Sequence, residues 1–472
     1  KARIVVLNAG DRDQGTVTSP NAATSIDHGD GHPCGTRFVG HRPMTAEASV
    51  SMRGPGHRTV DERGFLALLT KTLLMATMAV CVVLPHSFQV PTAALIVVTA
   101  FFALLGLKRS PWLDKLMLTY YAGTAVTALY EWVGYTNGAP NDAINQVFLV
   151  YIIAPLLWWI ISTSLMQRLG QERLVRLLIF LTWVSLASVV LFFYAFLTFG
   201  RDSVRFLTED ANVNVSGGFA GATMLVYGSM IFLGGSYFAE PTLIKSRLGK
   251  LIMPAALIAC AITSGRSAFI LAIPIGYIVG LVLRSRLAVG MTAAERKQTS
   301  LLPTLIMLAA GAGGLFALSF IFSQLDIRLI ANLFWDKLTS GGGDLRTEQA
   351  RALWEGIEQS YGMGHGHGLG VRYLRSDEFP WRYELIPLAS MLRVGVFGTL
   401  VYMSPFIVYA GLLSQRFAAR RLTRIDIYFA GGFFAAAMAT FTNPYIESFI
   451  FQWMFFIPVA ALGMQNPPGD QL

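Results

Sequence analysis

Charge is scarce in this chain. Only 14% of its 472 residues are Asp, Glu, Lys or Arg, where a soluble domain carries nearly twice that share. The shortage excludes an ordinary water-soluble globular protein. Cysteine is scarcer: Cys34, Cys81 and Cys260 stand far apart and show no metal-ligand spacing. Cys81 and Cys260 lie inside hydrophobic blocks and read as small buried apolar residues. Alternating segments of about ten residues, the mark of a membrane β-barrel, are missing. No signal-peptide pattern precedes the first hydrophobic block.

What the chain has instead is apolar residues in blocks. The hydrophobic fraction is 54% and the mean hydropathy is +0.51. Blocks of roughly 18 or more apolar residues can cross a hydrocarbon core as helices. They fall near 64–85, 88–107, 113–134, 146–166, 177–199, 215–237, 250–264, 267–284, 301–323, 385–412, 426–443 and 446–465. The expected fold is all-α, a polytopic membrane protein of about twelve transmembrane helices. A large, partly helical loop separates the ninth and tenth.

The organisation follows from these blocks. Residues 1–62, rich in Gly, Pro, Ser, Thr and Asp, form a tail too polar to bury a core and are expected to be disordered. Part of that tail could reflect the choice of start site, since Met44 and Met52 lie just ahead of the first block. Residues 63–323 hold spans one to nine, 324–384 a cap loop, 385–465 spans ten to twelve, and 466–472 a short tail.

The net charge of +9 could suggest nucleic acid, but its placement points to the lipid bilayer. Lys108 and Arg109; Arg168, Arg173 and Arg176; Lys245, Arg247 and Lys250; Arg284, Arg286, Arg296 and Lys297; and Arg416, Arg420, Arg421 and Arg424 all fall in alternate connections. The connections near Pro85, Asn137 and Pro444 hold no Lys or Arg. By the positive-inside bias the charged connections and both termini are cytoplasmic. The cap then lies on the outer side of the membrane, which in a bacterial inner membrane is the periplasm. A helical pattern around Glu348–Ser360 (Ala350, Leu353, Trp354, Ile357), after a Gly342-Gly343 break, suggests a folded cap whose Trp354 face packs on the bundle.

Four places could carry chemistry. Arg266 lies in a short outer turn, Thr263-Ser264-Gly265-Arg266-Ser267. It either snorkels to headgroups or presents its guanidinium to a phosphate. Arg201 and Arg205 follow span five and either pair with Asp202 and Glu209 or flank the same cavity. The run Gly362-Met363-Gly364-His365-Gly366-His367-Gly368-Leu369-Gly370 follows no strand, so a nucleotide loop is disfavoured. Two histidines without a third ligand make a weak metal site, and a flexible turn letting substrate approach the backbone is preferred. Glu384, at the mouth of span ten, either caps that helix, pairs with Arg382 or Arg393, or serves as a functional carboxylate.

With these features the sequence resembles the O-antigen ligase and polymerase superfamily, membrane enzymes that transfer glycans from undecaprenyl pyrophosphate. The likeness spans roughly 64–465. It rests on the span number, the large loop between spans nine and ten, the Ser-Gly-Arg turn at Arg266, and the glycine-rich segment before span ten. Ligases of this family carry a histidine and a polar residue, nine further residues, then Gly-x-x-Gly. Here the spacing stands as Glu384-Leu385, nine residues, Gly395-x-x-Gly398, with glutamate in place of histidine.

The resemblance implies an inverting, metal-independent displacement that needs no cofactor. A glycan on undecaprenyl pyrophosphate would be the donor. The acceptor glycan would be a lipid-linked repeat or the lipid A core. Arg266, Arg205 and Arg201 would bind the pyrophosphate, His365 and His367 would lie near substrate, and Glu384 would take the acceptor proton. Loss of the ligase histidine favours a polymerase of O-antigen or exopolysaccharide repeats over a ligase or a protein O-oligosaccharyltransferase. The rival from another class is a flippase for the same lipid-linked glycans. Such proteins carry internal repeats and midplane charges, whereas Asp114, Lys115 and Glu131 fall near span ends.

Overall fold

The computed structural model describes residues 62–83, 89–204, 213–216, 219–222, 226–264, 266–287, 343–373 and 379–465, and singly 309, 311 and 313. They belong to one compact unit, Thr59–Leu472. The tail up to residue 61, Arg205, most of the block at 301–323 and the last seven residues lie outside the described residues.

Apart from one β-hairpin the described chain is helical. In order it runs α1 (Glu62–Val83), α2 (Gln89–Leu105), α3 (Pro111–Thr136), α4 (Asn141–Arg168) and α5 (Gln171–Phe199). The hairpin β1 (Val213–Ser216) and β2 (Phe219–Ala222) follows, then α6 (Val226–Ala239), α7 (Arg247–Thr263) and α8 (Ser267–Arg284). Last come α9 (Gly343–Gln359), α10 (Ile386–Ala418), α11 (Arg424–Ala439) and α12 (Trp453–Gly463). Helices start where the sequence caps them. Ser110 accepts a hydrogen bond from the Leu113 amide at 3.2 Å, with Pro111 entering the first turn. Thr423 and Asp426 exchange hydrogen bonds as a capping box.

Five helices (α1 from Gly64, α4, α5, α8 and α10) are long and apolar enough to cross a membrane. By these helices the chain is a multi-pass membrane protein. The span expected at 215–237 is corrected: its first third is the hairpin, with Ser216 paired to Phe219 across Gly217-Gly218. Val-Asn-Val-Ser-Gly-Gly-Phe is a period-two strand with a two-residue glycine link, a local signal that the apolar average hides.

α6, α8 and α11 pack closely through small residues. A Cβ added to Gly276 would lie 2.3 Å from the Gly235 carbonyl oxygen, and one on Gly431 2.2 Å from the Ala239 Cβ. Small residues let helix backbones approach where no hydrophobic force drives association within lipid. α12 lies against α4, α10 and α11, with every residue buried.

The basic connections gather at one end of the bundle. The Gln167 side chain bonds the Lys108 backbone in both directions, at 2.9 and 2.7 Å. Gln171 reaches the Ala461 carbonyl and Gln465, and Gln465 also meets Arg416. Leu287 bridges Leu422, and Arg284 donates to the Ala239 carbonyl at 3.0 Å. This is the end on which the alternate positive connections were expected to fall together.

Cap helix α9 starts at Gly343, five residues earlier than the sequence pattern suggests, and packs on α10. Its contact face is corrected too. Leu353 and Ile357 are buried, whereas Trp354 is half exposed and donates its indole N–H to Glu358 at 2.7 Å. Glu358, one turn on, supplies a polar partner that turns the indole outward.

Candidate functional site

The end opposite the basic connections is organised around a break. Within α10, Gly395 adopts φ 70°, ψ −179°, so the helix divides there. The glycine-rich run closes on the break. The Val396 amide donates to the Gly362 carbonyl at 3.0 Å, and the Gly366 amide to the Arg393 carbonyl at 2.9 Å. On its other side the run presses against α3, where a Cβ on Gly134 would lie 1.9 Å from the His367 carbonyl oxygen. The glycines thus admit close approach of the protein's own backbone, where the sequence suggested approach of a substrate.

Arg266 stands at the N-terminal edge of α8. Its amide donates to the Ser264 hydroxyl at 3.2 Å, fixing the turn. The guanidinium Nη1 donates to Asn443 Oδ1 at 3.1 Å and to the Tyr445 hydroxyl at 3.3 Å. Both partners are neutral. Among the described residues no carboxylate lies within ion-pair distance of Arg266, and its buried Nε has no hydrogen-bond partner. Its positive charge is available to an anion.

Tyr445 links this arginine to the carboxylate singled out by spacing. The phenol is buried, and burial pushes its pKa up. The Arg266 charge and hydrogen bond pull it down, and the Glu384 charge pushes it up again. Arg266 and Glu384 therefore act on one side chain, although 118 positions separate them. Glu384 is partly exposed and pairs through Oε2 with Arg346 Nε of α9 at 3.2 Å. Its backbone is held as well, since the Glu384 and Leu385 amides both donate to Gln349 Oε1, at 3.1 and 3.2 Å. The cap helix thus sets the carboxylate's place.

Beside this pair lies a second, buried polar cluster. Arg393 forms an ion pair with Glu447 and donates to the Tyr151 hydroxyl at 3.1 Å and the Trp381 carbonyl at 2.8 Å. Tyr151 is carried by a π-helical stretch of α4, Phe148–Ile153, a local widening that often marks functional positions. Gln146, Tyr151, Trp381, Arg382, Arg393 and Glu447 line a cavity of about 20 Å³, room for a single water. Arg382 stacks over Phe379 at 3.8 Å and donates to Gln146 Oε1 at 3.0 Å. His367 is fully buried, its Nε2 2.9 Å from the Tyr402 hydroxyl. Burial first, and the Arg393 charge second, hold its pKa well below 6.5.

Of the residues read from sequence, Arg266 and Glu384 both bear on Tyr445, the first through a hydrogen bond and the second through its charge alone. Glu384 pairs with Arg346, while Arg393 is engaged by Glu447. His365 Nε2 lies 2.8 Å from the Gly356 carbonyl and ties the run to α9. Both histidines thus rest on protein partners. Arg201 opens a short 3₁₀ turn, Arg201–Val204, directly after α5, and Arg205 lies outside the described residues.

Sequence reasoning passed over Asn443, Tyr445, Glu447, Tyr151 and Arg346. Glu447 had a signal, for it is the sole carboxylate between Asp426 and Asp470, and an acid inside an apolar stretch marks a site. Asn443-Pro444-Tyr445 breaks the same stretch. Compared with known proteins, the chain matches no family model, and no curated protein matches it.

Proposed function

We propose that this chain is a membrane glycosyltransferase that moves a glycan from undecaprenyl pyrophosphate to an acceptor sugar hydroxyl. The reading favours a polymerase of O-antigen or exopolysaccharide repeats. The observation that carries it is Arg266, held by neutral oxygens and so unneutralised, with its partner Tyr445 also within reach of the Glu384 charge. A cation to stabilise the departing pyrophosphate and a carboxylate to accept a proton are what glycosyl transfer from a pyrophosphate to a hydroxyl requires.

In this mechanism Arg266, with Arg205 and Arg201, binds the donor pyrophosphate. Glu384 takes the proton of the acceptor hydroxyl as its oxygen attacks the anomeric carbon from the opposite face. The bond from that carbon to the phosphate oxygen breaks, and the carrier pyrophosphate leaves with the electron pair. Arg346 and Gln349 position Glu384. His365 and His367 hold the glycine-rich clasp in place and are left out of substrate contact.

The twelve-span topology, with both termini cytoplasmic and the site periplasmic, belongs to the same proposal. The described chain leaves at Leu287, on the basic end, and returns at Gly343, in the helix packed on the Glu384 end of α10. The block at 301–323 supplies the crossing in this reading.

The test is a glycan ladder from cells lacking the native protein and complemented at matched membrane levels. Wild type should give long chains, and Glu384→Gln and Arg266→Ala single repeats left on the carrier. If both variants match wild type, the site is wrong. Long carrier-linked chains accumulating unattached would make the protein a ligase. Lipid-linked glycan trapped on the cytoplasmic face would make it a flippase.

A further inference from the structure

The division of α10 at Gly395 fixes a height. Residues 396–418, at ~1.5 Å rise each, run about 34 Å, close to the ~30 Å of a bilayer's hydrocarbon core. The piece before the break is too short to cross and packs against α9. Gly395 therefore marks where the protein leaves the hydrocarbon.

A tight turn of the cap is pinned at that height. The Gly362 carbonyl accepts from the Val396 amide at 3.0 Å, and the Met363 carbonyl from the Tyr130 hydroxyl at 2.6 Å. Yet the side chains of this turn face outward, Tyr361 being 93% and Met363 71% exposed. Tyr361 also holds φ 51°. That left-handed conformation is unfavourable for a bulky side chain, and such strain clusters where a residue has a use. The turn caps α9, where glycine would be cheaper and equally exposed.

The turn continues the lipid-facing surface of α10. Phe397, Leu400 and Ile407 form an exposed apolar stripe along the crossing segment, with Phe397, 75% exposed, at its top. Trp132 of α3, also exposed, lies half a turn from Tyr130. Polarity reverses on the same helix, for Arg351, Glu355 and Glu358 of α9 are exposed and charged. From Gln359 to Gly370 there is no Asp, Glu, Lys or Arg. Aromatic and apolar residues at such a level sit in the boundary between headgroups and acyl chains.

We propose that the Tyr361–Met363 turn is a membrane-dipping anchor whose partner is the phospholipid surface on the Glu384 side. The bilayer holds one end of α9, and Arg346 near the other end holds Glu384. The inference needs only a membrane-spanning α10 and stands apart from the proposed chemistry.

The test uses the full chain in phosphatidylethanolamine–phosphatidylglycerol nanodiscs, with Cys34, Cys81 and Cys260 replaced by alanine. A nitroxide is placed on Met363→Cys, with Leu400→Cys as lipid reference and Glu355→Cys as water reference. Tyr361→Cys serves should Met363→Cys not fold. Collision with dissolved oxygen, which partitions into lipid, is compared with collision with an aqueous nickel chelate. An oxygen-to-nickel ratio several-fold above that of Glu355→Cys, approaching that of Leu400→Cys, is expected. A ratio equal to that of Glu355→Cys overturns the anchor. So does a label shielded from both probes or broadened by a second copy, since protein would then cover the turn.

Discussion

One short connection, between α11 and α12, grips two arginines in opposite ways. Arg393 is buried and meets the Glu447 carboxylate, with Tyr151 and the Trp381 carbonyl completing its donors. Arg266, a few residues along the same connection, meets an amide oxygen and a phenol. At the basic end Arg284 and Arg416 follow the pattern of Arg393, pairing with Glu240 at 3.5 Å and Asp426 at 3.4 Å. A neutralised buried arginine joins helices; one held by neutral groups keeps its charge for something that arrives. The difference separates architecture from chemistry within one locus.

That contrast can be broken or sharpened by measurement. The largest effect is expected at the neutralised arginine. Glu447→Gln leaves Arg393 buried and uncompensated and should destabilise the protein by about 3–5 kcal/mol. Arg266→Ala should alter stability by about 1 kcal/mol while removing transfer. Unfolding in detergent micelles reads both, and equal losses would erase the distinction.

Next comes the clasp beside Arg393. Gly134→Ala, whose methyl would press on the His367 carbonyl, should cost about 1–3 kcal/mol in the same assay. A neutral result would show that the run can retreat from α3.

A smaller effect is set by pH. His367 is held neutral in the fold, well below 6.5, while the unfolded chain protonates near that value. The unfolded state then binds the extra proton, so its stabilising contribution is present above pH 6.5 and lost as pH falls. The slope is about 1.4 kcal/mol per pH unit between the two pKa values. His367→Gln should flatten the difference between unfolding curves taken at pH 7.5 and 5.5, and an unchanged slope would contradict it.

The smallest stability change belongs to Arg346, whose pair with Glu384 is partly exposed. Arg346→Gln should shift unfolding by less than about 1 kcal/mol. Glycan transfer should fall on the order of tenfold, with Arg346→Lys restoring part of it. A stability loss with unaltered transfer would place Arg346 in the frame alone.

The helical membrane class was legible because its signal is additive: α1, α5 and α8 each hold an 18-residue window apolar enough to read. The hairpin was not, because Asn214, Ser216 and the glycines around it are diluted by the apolar residues that follow. Glu384 and Arg266 were found by spacing and by their place at span mouths, which are local properties. The side chain on which both charges act was not legible, since Tyr445 carries no charge and is placed by how α11 turns into α12. Arg346 was hidden for a related reason. Its charge lies in a balanced loop, and only the fold of α9 decides which acid it meets. The Trp354 face was misjudged because helical spacing leaves neighbouring residues nearly equivalent, and Glu358 decides between them.

α12, enclosed by protein along its whole length, follows in the chain the three helices packed against it. Its eleven residues would run only about 16 Å, too little to hold a place in a bilayer unaided, and its surroundings are α4, α10 and α11. Those three helices are therefore made before the segment that fills the space between them. Their final packing waits on a short segment that they must themselves hold in place.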